Sequence, residues 1–130
     1  TVQTGNLAPT GWHIPSDSEW SILINYLGGP LVAGSKLKEI GISHWISPNT
    51  DATNVVNFTA LPGGCKLFGG GAGGIFFYDI GNWGYWWSST IDGSTNAKYR
   101  QLAYTGVIHG ESDNSSSGMN NGYSIRCVKD

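Results

Sequence analysis

The chain has 130 residues, so residues 1–130 are expected to form a single domain. Charged residues make up 12% and the net charge is −2, which leaves no basic stripe for nucleic acid and no polybasic patch for anionic lipid. No apolar run reaches the roughly 18 residues that span a bilayer, so no membrane-spanning segment is expected.

Residues 1–12, TVQTGNLAPTGW, show no basic region followed by an apolar one, so no signal peptide is expected. Without a start methionine, a mature or excised piece of a longer protein is the expectation. The next stretch, IPSDSEW, holds a helix start. Ser16 and Glu19 form a capping box, Pro15 blocks an upstream helix, and Asp17 suits the positive helix end. Trp20, Leu23, Ile24 and Leu27 then share one helical face, predicting a helix over 17–27 closed by Gly28-Gly29-Pro30. Trp12 and Trp20 flank the helix start and are expected in the core. A shorter helix is predicted over 31–40, ended by Gly41. Residues 41–58 read as a long loop holding His44 and Trp45.

The second half reads as strands. FTALPGG predicts a short strand entering a Pro-Gly-Gly turn. CKLFGGGAGGIFFYDI predicts two strands around a glycine-rich bend. GYWWSST is a strand leading to a hairpin at Asp92-Gly93. KYRQLAY, GVIHG and YSIRCV follow, with a polar loop expected over 110–122. Helices first and strands second give an α+β fold. Alternation puts Trp83, Tyr85 and Trp87 on one face of their strand and Trp86 on the other. Trp86 and Trp87 are expected to be packed, whereas Trp83 is the candidate for exposure.

Composition argues against several chemistries. The glycine run has no Walker spacing and opens no βαβ unit. Three histidines and two cysteines stand apart, with no C-x-x-C, so no metal site and no catalytic residue are assigned. The acids and amides of the 110–122 loop allow calcium without any calcium-loop motif, and no cofactor is expected. Cys65 and Cys127 permit one bridge or two free thiols packed as small hydrophobes. Sequons at Asn57 and Asn114 matter only in a glycosylating source.

Four stretches carry a family resemblance: LAPTGWHIPSDSEW, the span AGSKLKEIG…HWISPNTDATNVVNFTALPGG, FTALPGG…GYWWSST and GYSIRCVKD. Together they resemble the Fibrobacter succinogenes major paralogous domain, a bacterial surface-associated family, over nearly the whole chain. Many members carry Cys where this chain has Ala8, which implies that Cys127 lacks its usual bridge. The order P-x-x-x-E-W, WWSS and G-[FY]…R-C-V is also similar to the formylglycine-generating enzyme group and to the variable proteins of diversity-generating retroelements. That similarity implies a C-type-lectin-like fold: two helices, a twisted antiparallel sheet, adjoining terminal strands and long loops on one side. The activity does not carry over, because neither cysteine matches the metal-binding pair. The lectin calcium motifs are absent as well.

In the retroelement-linked relatives, the strand matching AKYRQLAY and the loop after it present the binding surface. The resemblance therefore implies a ligand face of Tyr99, Arg100, Gln101, Tyr104, His109, Glu111, Asp113, Asn114 and Asn120, with Trp83 added for its place near the strand entry beside Asn82 and Gly84. The Tyr/Ser/Gly/Asn composition is that of an adaptable binding surface. The expected function is non-catalytic, extracytoplasmic recognition of a glycan or cell-surface protein at a bacterial surface. An enzyme of the formylglycine-generating type, active or degenerate, and a purely structural module are the alternatives.

Overall fold

The computed structural model describes residues 7–69, 74–105 and 116–130, and the backbone of 108–109. In chain order they form β1 (Trp12–His13), α1 (Asp17–Tyr26), α2 (Pro30–Leu37), β2 (Gly63–Gly69), β3 (Gly74–Ile80), β4 (Trp83–Asp92), β5 (Asn96–Ala103), β6 (Ile108–His109), β7 (Ser116–Gly118) and β8 (Val128–Lys129). The class is α+β, with a mostly antiparallel sheet.

The start of α1 follows local chemistry. Ser16 accepts from the Glu19 amide, and Glu19 accepts from the Ser16 amide, so two otherwise orphaned donors are satisfied reciprocally. The helix buries Trp20 and Ile24. Helix α2 starts on Pro30, whose fixed φ suits a first turn. It ends at Leu37 rather than at residue 40, because Lys38 is already extended, with φ −66° and ψ 144°.

The main sheet runs β3-β2-β4-β5-β6, with β7 also paired to β5. The hairpins β2–β3 and β4–β5 are antiparallel, and Gly93 at φ 73° turns the second. The two hairpins meet in parallel at Gly64 opposite Gly84. The sequence pointed to a turn at Pro62-Gly63-Gly64. Instead both glycines open β2, because Gly64 must pass against the backbone of Tyr78 and Ile80. A purely antiparallel sheet is corrected by the same junction.

Three further expectations change. Within the polar 110–122 stretch, Ser116–Gly118 pairs with Asn96–Lys98 as a strand. YSIRCV is not one strand: Ser124 bridges Trp86, and only Val128–Lys129 pairs with Trp12–His13. Trp12 is 45% exposed, because among the described residues β1 pairs only with β8, in a two-stranded sheet apart from the main one. The expected adjoining of the terminal strands is observed in that pairing. The glycine-rich bend lies outside the described residues.

The core sits between the helices and one face of β4–β5. It joins Trp20, Ile24 and Leu27 of α1, Ala33 and Leu37 of α2, and Trp86 and Leu102 of the sheet, with Trp45 and Ala60 from the long loop. Phe58 stands edge-on to both Trp20 and Trp86 at 6.1 and 6.4 Å, a geometry that aromatic quadrupoles favour. The loop is locked by Lys38, which is fully buried and donates to the carbonyls of Thr50 and Tyr104 at 2.8 and 2.7 Å. Trp45 donates to Ala60 O at 2.9 Å. No described helix is long and apolar enough to cross a membrane.

Candidate functional site

The face of β4–β5 turned away from the helices carries a cluster of aromatic rings. Residues directly opposite on paired strands project to the same side. The register sets Tyr85 opposite Gln101 and Trp87 opposite Tyr99. Trp83 stacks on Tyr85 at 6.3 Å, and Tyr85 contacts Tyr99 at 6.2 Å. Tyr123 enters from the C-terminal segment and lies 5.1 Å from Tyr85, 4.4 Å from Trp87 and 5.0 Å from Tyr99. Trp87 is buried beneath the others, while Trp83, Tyr85, Tyr99 and Tyr123 are half-buried. The five rings thus form a continuous cluster, buried at Trp87 and half-buried at the other four.

Polar groups fix the phenols. Tyr85 donates to Asp79 Oδ2 at 2.7 Å, and Tyr123 donates to Ser117 Oγ at 3.0 Å. Asn121 donates to the same Ser117 oxygen at 2.8 Å and accepts from the Phe68 amide at 2.9 Å, joining β7 to β2. Burial, and then the hydrogen bond to Asp79, raises the Tyr85 phenol above its ordinary range. Burial likewise raises Tyr123. Both are neutral at physiological pH and act through O–H groups and ring faces. Cys65 is buried beside the cluster as a free thiol, and burial pushes its ionisation up, opposite to an activated nucleophile. Cys127 is free and half-buried, so the two cysteines are unbridged.

The residues expected at a ligand face divide between two sides of the sheet. Trp83, Tyr99 and Gln101 belong to the aromatic side. Arg100 and Tyr104 do not. Arg100 is 3% exposed and holds Asp17 and Ser21 of α1, and Tyr104 packs against the core. The physical reason is alternation: even positions of β5 point toward the helices. Asn120 is exposed in the turn after β7. His109 is placed by its backbone opposite Gln101. Glu111, Asp113 and Asn114 lie outside the described residues, as do the side chain of His109 and the second sequon.

Such strand-to-strand geometry, with the terminal segments paired and a Trp-rich β4 at the centre, is built from the stretches that carry the family resemblance. The model of the Fibrobacter succinogenes major domain matches residues 1–129. The chain belongs to that family. No curated protein and no solved structure matches it. Among the described residues of this Fibrobacter succinogenes major domain, no group of three or more His, Cys, Asp or Glu is placed to hold a metal ion.

Asp79 and Ser117 were missed at the sequence level. Alternation grouped Trp83, Tyr85 and Trp87, and Tyr123 stood in the G-[FY]…R-C-V stretch and Asn121 in the polar loop, but nothing local placed either against β4 and β5.

Proposed function

We propose that the chain is a non-catalytic, extracytoplasmic recognition domain of C-type-lectin-like fold that binds a glycan on the aromatic face of β4–β5. The observation that carries this reading is the five-ring cluster of Trp83, Tyr85, Trp87, Tyr99 and Tyr123, buried at Trp87 and half-buried elsewhere. Sugar rings present apolar C–H faces that stack on such aromatics, and hydroxyls that pair with amides. Gln101 lies on the same face and Asn120 is exposed beyond β7. Anchors of this kind lose little conformational entropy on binding, since aromatic side chains have few rotors. Pairing of β1 with β8, and two helices packed on one sheet face, support the C-type-lectin-like reading. The upward shift of Cys65 favours a binding role over thiol chemistry. Placement at a bacterial surface rests on the family's surface association.

A glycan array followed by calorimetric titration, with and without calcium, tests the reading. Tyr99→Ala and Trp83→Ala are each expected to weaken the selected glycan about tenfold, equivalent to ~1.4 kcal/mol, with the fold retained by circular dichroism. Binding that survives both substitutions, or no glycan binding in either arm, overturns it. In the second case, capture of a purified surface protein would favour protein recognition, and its absence a structural module.

A further inference from the structure

Strand β3 is the free edge of the main sheet. Among the described residues it pairs only with β2. Its sequence, GIFFYDI, contains no Lys and no Pro, the residues that commonly blunt an edge. Strand β3 exposes large apolar residues on both of its faces: Ile75, Phe76, Phe77, Tyr78 and Ile80 are 46% to 82% exposed. A strand that is hydrophobic on both faces and lacks a partner on one edge is a template for another strand.

We propose that β3 pairs antiparallel with β3 of a second copy of this chain, forming a two-fold dimer through a continuous sheet. Asp79, at φ 64°, ends the regular stretch, which leaves Gly74–Tyr78 with Phe76 at its midpoint. A two-fold axis at Phe76 sets Phe76 against its own copy, Ile75 against Phe77, and Gly74 against Tyr78. Each match is apolar, and the last places a small residue opposite a large ring. The strand's single charge, Asp79, is then offset by six positions from its symmetry mate, about 20 Å at strand spacing. That exceeds the ~8 Å screening length at physiological salt. The net charge of −2 per chain opposes association weakly.

At roughly 200 Å² per large side chain, Ile75, Phe76, Phe77 and Tyr78 of the paired stretch offer at most on the order of 450 Å² per chain. A standard interface covers about 800 Å² per partner, so the dimer rests on the backbone hydrogen bonds of the shared edge and is weak and concentration-dependent.

Sedimentation equilibrium on the whole chain, with Phe77→Lys alongside, is the test. The expected result is a concentration-dependent dimer that Phe77→Lys shifts to monomer by at least tenfold in dissociation constant. In a Cys127→Ser background, Phe76→Cys should form a disulfide with its own copy under mild oxidation, whereas Ile75→Cys should not. Because the cross-link reads geometry directly, it decides the case even if Phe77→Lys folds poorly. A monomer at every concentration, a dimer indifferent to Phe77→Lys, or equal cross-linking at both cysteines overturns the proposal.

Discussion

Arg100 of β5 and Asp17 at the start of α1 form an ion pair, 2.5 Å from Nη1 to Oδ1, that fastens the helix to the sheet. The same guanidinium donates to Ser21 Oγ at 3.1 Å and to Asp17 O at 3.3 Å. Asp17 also donates its amide to Thr90 Oγ1 of β4 at 2.9 Å. A cation that the resemblance offered to a ligand is therefore consumed in docking the helix.

Removing one member of a buried pair leaves the other uncompensated. Asp17 keeps 26% of its side chain in water, so the cost falls at the low end of the usual range. Arg100→Ala is expected to lose about 2–3 kcal/mol of stability, read as a lower urea midpoint. Arg100→Met, which refills the volume, should lose less.

The parallel junction depends on two glycines. A Cβ on Gly84 would come within 2.7 Å of Leu61 O and would collide with the Trp86 ring. One on Gly64 would collide with Tyr78 O, at a φ of +62° that L side chains rarely adopt. Gly84→Ala should cost about 1–3 kcal/mol by overpacking, and Gly64→Ala more, because backbone strain adds to it. Gly69→Ala, with open space around it, should be close to neutral in the same thermal melts.

His13 closes the terminal strands. Its Nδ1 lies 2.6 Å from Asp130 Oδ1 and its Nε2 lies 2.8 Å from Glu19 Oε1. Asp130 first, then Glu19, raise the imidazole above its ordinary 6.5. The Ser16 amide, followed by His13, lowers Glu19 to about 2. The His13 contribution is complete below its unfolded value and fades as pH rises through the elevated folded one. The Glu19 contribution is complete above its ordinary 4.5 and fades as pH falls toward 2. Melting temperature should therefore decline as pH is raised above 6.5. His13→Gln should flatten that decline, and an NMR titration of the ring should show the raised midpoint.

Lys38 gives the opposite slope. Burial lowers its ammonium to about 8, against an ordinary 10.5, with Asp51 opposing the shift. Between those values the unfolded chain holds more protons, so stability should rise with pH from 8 toward 10. Lys38→Met should remove that rise. It should also cost about 1–3 kcal/mol at neutral pH, because the Thr50 and Tyr104 carbonyls lose their donor. Chemical denaturation at pH 7, 8.5 and 10 measures both effects.

Helix α1, the hairpin at Asp92-Gly93 and the split of Trp86 from Trp87 were legible in the sequence. Each depends on residues at most a few positions apart: a capping box, a 3–4 spacing, a strand's two-residue repeat. Resemblance put Arg100 on the ligand face, because nothing local shows that its side of β5 lies under α1, where Asp17 waits 83 positions away. Lys38 looked like one more helical residue, yet its burial depends on where α2 stops and on a carbonyl from Tyr104, 66 positions distant. The aromatic cluster was half visible for the same reason, with Tyr123 supplied from another segment. By itself, the sequence determined the family, the α+β class and the local elements, because those are encoded in short-range hydrogen bonding and periodicity. Only the tertiary structure decided which cation is buried, which rings meet and which strand edge is left open, because these are set by which distant segments pack together.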